Sequence, residues 1–156
     1  MQGDPEIIEL LNEVLTAELT AINVYFIDAR MCANWGYHRL AEHHQQESID
    51  EMKDAQQLID RILYLDGTPN LQRLGNVLVG EQPEEQLRIA LDLETAAIER
   101  LNRGIALAVS KGDNGTREML AAILAGEERS ADWLETQLHA VAELGAVAYL
   151  AEQLKD

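Results

Sequence analysis

Along four long stretches of this chain, apolar residues recur at spacings of three and four, the period of helices that bury one face. The first runs from about Pro5 to Asn34, with Asp4 as its N-cap, Pro5 at the first helical position and Gly36 beyond its end. Ile8, Leu11, Leu15, Ile22, Tyr25 and Ala29 mark its stripe, and Glu18 fills the single gap. The second runs from about His38 to Asp66, stopping at Gly67 with Pro69 just after. Leu40, Leu58, Ile62 and Leu65 carry that stripe, interrupted by His44, Glu47, Glu51 and Asp54.

A third stretch, about Pro83 to Lys111, places Leu87, Leu91, Ile98, Leu101 and Ile105 in register with Glu94, and Gly112 stops it. The fourth, from about Asp113 to Leu144, aligns Leu120, Ile123, Leu134 and Val141 with Glu127 and Ser130. Gly145 ends it, leaving AVAYLAEQLKD as a short fifth helix. Residues 67–82, with three glycines, one proline and the apolar patch Val77, Leu78 and Val79, read as a long crossover. Strand-like alternation is weak throughout. Two short turns and one long crossover between four helices of similar length predict an all-α, single-domain, ferritin-like four-helix bundle covering residues 1–156.

Composition narrows the chemistry. With 28 acidic and 12 basic residues, the net charge of -16 repels phosphate backbones and attracts cations, which argues against nucleic acid as a partner. The N-terminal MQGDPEII has no basic region leading an apolar run, and no 18 consecutive apolar residues follow, so no membrane association is expected and the cytoplasm is the expected location. A single cysteine, Cys32, cannot form an internal disulfide.

Each stripe is broken near its middle by one glutamate: Glu18, Glu51, Glu94 and Glu127. A single such residue is readily an edge position that reaches water. Four at mid-helix in an antiparallel bundle converge at one level, and a buried ionised carboxylate costs several kcal/mol unless it is paired, protonated or metal-bound. Few basic residues share these stripes, so divalent cations are the natural compensation. Ferritin-like di-iron bundles use one glutamate from each of two helices and Glu-x-x-His from each of the other two. Glu18 and Glu94 supply the first pair, and Glu51 and Glu127 open the two motifs. The partners at i+3 are Asp54 and Ser130, not histidines.

The segments NEVLTAELTAINVYFIDARM, NWGYHRL, ESIDEMK, RILYLDGTPNLQRLG and DWLETQL closely resemble bacterioferritin across essentially the whole chain. That resemblance implies two-fold dimers assembled into a hollow shell of about 24 subunits, storing ferric mineral and holding haem b between paired subunits. It implies iron ligation by the residues at Glu18, Glu51, Glu94 and Glu127, with histidines where Asp54 and Ser130 stand and a tyrosine at Tyr25 beside the centre. Asp54 adds a negative charge and Ser130 is a weak neutral ligand, so oxidation of ferrous ion is expected to be impaired and a weakly bound divalent cation can occupy the remnant. The bare role of Tyr25 is core packing with a satisfied hydroxyl.

Met52 follows Glu51 directly and points about 100° around the helix, away from the core. From its residue type alone it is an interface filler; the resemblance makes it an axial ligand to haem iron, with the second thioether supplied by symmetry. Leu19, Asn23 and Phe26 on the first helix and Ile49, Gln56 and Ile59 on the second are expected to line that slot, or to form a dry dimer interface. His44 with Glu47 reads as a partly solvated pair or a secondary cation site. Gln46 stands where relatives often carry a histidine near Asp50, which leaves Asp50 as a lone auxiliary candidate.

Three functions follow as alternatives. One is a haem-binding storage subunit with a degraded ferroxidase centre, assembled with a second subunit type that keeps both histidines, and receiving electrons from a ferredoxin-type donor. Another is a working ferroxidase that oxidises ferrous ion with oxygen despite Asp54 and Ser130. The third is a non-haem protective cage of the mini-ferritin kind.

Overall fold

A computed structural model describes all of residues 1–156 as five helices without strands. They are α1 (Pro5–Trp35), α2 (His38–Tyr64), α3 (Pro83–Ser110), α4 (Asn114–Leu144) and the short α5 (Ala146–Gln153). The expected boundaries hold to within two residues, and the caps explain why. The Asp4 carboxylate accepts from the Glu6 amide at 2.8 Å, and Asp113 accepts from the Thr116 amide at 3.1 Å, each satisfying an orphan N–H at a helix start. Gly36 closes α1 in the left-handed region at φ 88°. One stop differs from expectation: α2 ends at Tyr64, and the left-handed residue is Asp66 at φ 61°, not Gly67. The N-terminal ammonium lies 3.3 Å from the Asp66 carboxylate. Gly67 is required for another reason, since a Cβ there would come within 2.7 Å of Ile8.

Side-chain pairs fix the arrangement of the four long helices. Tyr25 meets Glu94, Glu13 meets Arg103, and Asp4 meets Lys111, so α1 and α3 run antiparallel. Arg61 meets Asp113, Glu47 meets Ser130, and His43 meets Trp133, so α2 and α4 are antiparallel as well. The 2-residue turn before α2 and the 3-residue turn before α4 make each hairpin, while residues 65–82 carry the chain from α2 to α3. This is the expected one-crossover bundle.

The apolar core is split in two. One cluster at the α1 N-terminal end includes Ile7, Leu11, Leu15, Leu58, Ile62, Leu101, Leu120 and Ile123. The other, toward α5, includes Ala21, Tyr25, Cys32, Leu40, Leu87, Ala90, Leu134 and Tyr149. Between them, at the level of Glu18, lies a layer of buried glutamates. The helix α1 is long and apolar enough by composition to cross a membrane, but half of its most apolar window is buried within the bundle. It carries Glu18 and Asp28 in its buried face, so it is a core helix.

Candidate metal centre

Glu18, Glu51, Glu94 and Glu127 are 2, 2, 1 and 3 % exposed, which places all four expected carboxylates in the interior layer. Each comes from a different helix because each fills a stripe position one turn away from leucine, isoleucine or alanine neighbours that pull the face inward. Oxygens of Glu18, Glu51, Asp54 and Glu127 lie within 4.8 Å of one another, and those of Glu47, Glu51 and Glu94 form a second such group. Glu51 belongs to both, so the two groups abut and together could hold a pair of cations.

No basic side chain forms an ion pair with any of these four glutamates. Glu18, Glu51 and Glu94 each retain a buried Oε2 with no hydrogen-bond partner, although a buried unpaired carboxylate oxygen is costly. The donor set is all hard oxygen, which suits divalent cations bound through carboxylates. Without a cation the charges must be reduced by protons. Burial, reinforced by mutual repulsion, holds Glu51, Glu94 and Glu127 well above the ordinary carboxylate range. Burial also pushes Asp54 up to about 6. Tyr25 donates to Glu94 Oε1 at 2.6 Å, and burial and that neighbouring carboxylate raise its own pKa.

These shifts have a sign that can be measured. A carboxylate raised on folding binds more protons folded than unfolded, so it stabilises the fold at low pH and loses that contribution as pH rises through its folded value. For Asp54 the loss runs from its ordinary value of 3.8 up to about 6, and for Glu127 from 4.5 up to about 9, so between pH 6 and pH 9 Glu127 carries it. The cation-free protein is therefore expected to lose about 3 °C or more in Tm between pH 6 and pH 9, by calorimetry. Glu127→Gln should flatten that slope, and added divalent cation should restore stability at the upper end; an unchanged slope in the variant would contradict protonation of this layer.

The geometry corrects three expectations. Ser130 does not present its hydroxyl as a ligand: it donates to Glu47 Oε2 at 2.9 Å and so steers a carboxylate. His44 does not pair with Glu47; the neighbouring His43 approaches Glu47 at 3.6 Å and stacks on Trp133 at 3.4 Å. His44 is fully buried, not partly solvated, with both ring nitrogens unpartnered and its centroid 6.1 Å from that of Tyr25. Burial keeps it neutral, at about 3. The auxiliary position is quenched as well, because Asp50 accepts from Gln46 Nε2 at 3.0 Å and lies 3.9 Å from Lys53.

Glu47 is the residue whose place in the centre sequence reasoning missed. Its signal was the i, i+4 spacing to Glu51 on the same face, obscured by reading it with His44. Asp28 was missed too: it is 1 % exposed, both its oxygens lack partners, and burial raises it to about 7.

Two cavities reach this layer from opposite sides. One, of about 500 Å³, lies between α1, α3 and the crossover and is floored by Glu18, Glu51, Glu94 and Glu127. The other, of about 540 Å³, lies between α2 and α4 and contains Glu47, Glu51, Asp54, Glu127 and Ser130. Glu51 and Glu127 line both, so the carboxylates stand where the two meet.

On the outer face of α2, Met52 is 56 % exposed and sits in an apolar groove with Leu19, Ile22, Ala55, Gln56, Ile59 and Leu71. Four expected residues, Leu19, Met52, Gln56 and Ile59, are therefore brought together. Asn23, Phe26 and Ile49 are exposed nearby on the same helices but do not line the groove, and Asn23 donates to its own helix at Leu19 O. Ile22, Ala55 and the crossover residue Leu71 were missed.

A ferritin-like domain model matches residues 8–144. The chain is 47 % identical over 152 residues to a bacterioferritin of Mycolicibacterium paratuberculosis, covering 97 % of this chain and 96 % of that one. It is 50 % identical over 151 residues to a bacterioferritin of Streptomyces coelicolor, covering 97 % and 90 %. A bacterioferritin of Brucella melitensis is 38 % identical over 149 residues, covering 96 % and 92 %. With the one-crossover bundle and its layer of four buried glutamates, these matches show that the chain belongs to the bacterioferritins, iron-storage members of the ferritin-like family.

Proposed function

We propose that this chain is a haem-binding bacterioferritin subunit whose di-iron centre has lost rapid ferroxidase chemistry. It would serve a cytoplasmic, 24-subunit shell through assembly, mineral storage and electron delivery for iron release. The observation that carries the reading is the ligand set: carboxylates of Glu18, Glu47, Glu51, Asp54, Glu94 and Glu127 form the two groups, neither group includes a histidine, and His43 reaches only Glu47, at 3.6 Å. Two divalent cations supply four positive charges to six negative ones, so the loaded site retains an excess of negative charge that imidazoles would have avoided. Cations then bind as cargo in transit, and the ligand field that tunes iron for oxygen is gone.

The groove around Met52 fits one half of a haem slot, since its exposed thioether lies on an apolar surface and would hold haem iron together with the same residue of a symmetric partner. When bound, haem supplies one-electron reduction, for which a ferredoxin-type donor is the matching source. Leu19, Ile22 and Ile59 of this chain would provide the apolar contact for the macrocycle. A second subunit type with both histidines would perform the oxidation in mixed shells. Native mass measurement of shells from the source cell is expected to find two subunit masses; shells of this chain alone would remove the partner from the proposal.

One observation favours a second reading. Glu47, held by Ser130, has an oxygen within 4.8 Å of those of Glu51 and Glu94 and could replace a lost histidine with a carboxylate, keeping a slow ferroxidase.

A further inference from the structure

The cavity on the α1 and α3 side has a second chemical layer. Above its glutamate floor, its walls carry Arg73 from the crossover and Arg100 and Arg103 from α3. Three of the chain's 12 basic residues thus converge on one cavity in a protein of net charge -16. Arg100 and Arg103 lie one turn apart on the helix, and the crossover brings in Arg73, whose Nε donates to Thr16 Oγ1 at 3.2 Å. Only Arg103 has a carboxylate partner, the exposed Glu13 at 3.8 Å. Arg100 is half-buried and forms no ion pair at all, although acidic residues outnumber basic ones more than two to one.

A half-buried guanidinium without a carboxylate is an open fork of donors, and its geometry matches tetrahedral oxyanions bidentately. Thr16 and Asn76 add short polar side chains to the same wall. The volume of about 500 Å³ leaves room for a small anion above the carboxylates. We infer that this mouth is a binding site for a small, multiply charged oxyanion of the phosphate class, which couples to cation loading of the centre beneath it.

The coupling follows from charge. An anion held by Arg73, Arg100 and Arg103 cancels the repulsion that three guanidiniums exert on an incoming divalent cation. By reciprocity, a cation on Glu18, Glu51, Glu94 and Glu127 screens those carboxylates and raises the affinity for the anion by the same factor. If the arginines were only counterions of the glutamates, removing them would strengthen cation binding whether or not an anion was present.

The inference rests on the centre binding divalent cations, and one titration separates the two. Assembled protein is titrated with cobalt(II), which does not turn over with oxygen in this setting, at constant ionic strength and with increasing inorganic phosphate. The cobalt affinity, corrected for cobalt–phosphate association in protein-free buffer, is expected to rise about five- to tenfold at millimolar phosphate. Arg73→Gln/Arg100→Gln/Arg103→Gln should bind cobalt with no response to phosphate, while circular dichroism and sedimentation confirm an unchanged shell. Single Arg100→Gln, the variant least able to disturb packing, should lose most of the response. Cobalt binding indifferent to phosphate in the unsubstituted protein overturns the inference, as does an equal response in the triple variant. No cobalt binding at any phosphate concentration overturns the cation site as well.

Discussion

Replacing Asp54 and Ser130 together by histidine is expected to give the chain a fast, saturable phase of ferrous oxidation, with an initial rate about 10- to 100-fold above that of the unsubstituted protein. Each substitution acts differently. At position 54 a neutral imidazole removes one negative charge from a group whose oxygens already lie within 4.8 Å of Glu18, Glu51 and Glu127. At position 130 it removes the hydroxyl that holds Glu47 at 2.9 Å, and so releases that carboxylate from the centre. Space is available, because both side chains border the cavity of about 540 Å³ between α2 and α4. Either single variant should gain less than the pair, since one residual carboxylate still unbalances the charge. Stopped-flow absorbance at increasing iron per subunit checks this, and Glu18→Ala in the histidine background should abolish the new phase.

Met52→Leu is expected to abolish the haem absorption bands of haem-replete preparations while leaving the fold and the shell intact. The exchange nearly conserves volume at a half-exposed position, so its cost to stability stays below about 1.5 kcal/mol. What it removes is the sulfur. If Met52 of each of two symmetric subunits holds the haem iron, the substitution would remove both thioethers at once, so haem should be lost rather than partly retained. Pyridine haemochrome analysis of the purified variant measures the loss. Retention of haem at the unsubstituted ratio would show that Met52 is an interface residue and nothing more.

The fold was legible because its signals are local. Asp4, Pro5, Gly36, Pro83, Gly112 and Gly145 mark helix ends through capping and positive φ, and each stripe needed only its own helix to be read. The face of each helix was less legible where small residues line it. On α3, Leu91, Ile98 and Ile105 stand out by size, yet the fully inward positions include Ala90, Ala97, Gly104 and Ala108. There the α1 helix approaches so closely that a Cβ on Gly104 would meet Leu10 at 2.7 Å. On α1, similarly, Ile7 and Val14 are buried, whereas Ile8 and Ile22 lie on the flank. Hydrophobicity marks the large residues, but burial at a close helix crossing favours the small ones.

The four central glutamates were legible because ionisable residues on four apolar stripes, all at one level, can be buried together only if protons or cations neutralise them. The role of Glu47 was not, because it depends on a hydrogen bond from Ser130 across 83 residues of sequence. Leu71 in the Met52 groove and Arg73 in the cavity mouth belong to an irregular crossover, where no periodicity reports which side chains turn inward. Asp28 and His44 are buried without partners, and nothing in the structure assigns them a role.

The most direct test of the central claim is stopped-flow oxidation of ferrous ion by oxygen in shells made of this chain alone. The expected result is slow oxidation, with no fast phase saturating near two irons per subunit and little change on Glu18→Ala. A fast phase that saturates at that ratio and disappears in Glu18→Ala would contradict it, and would show that the six carboxylates work as a ferroxidase without histidine.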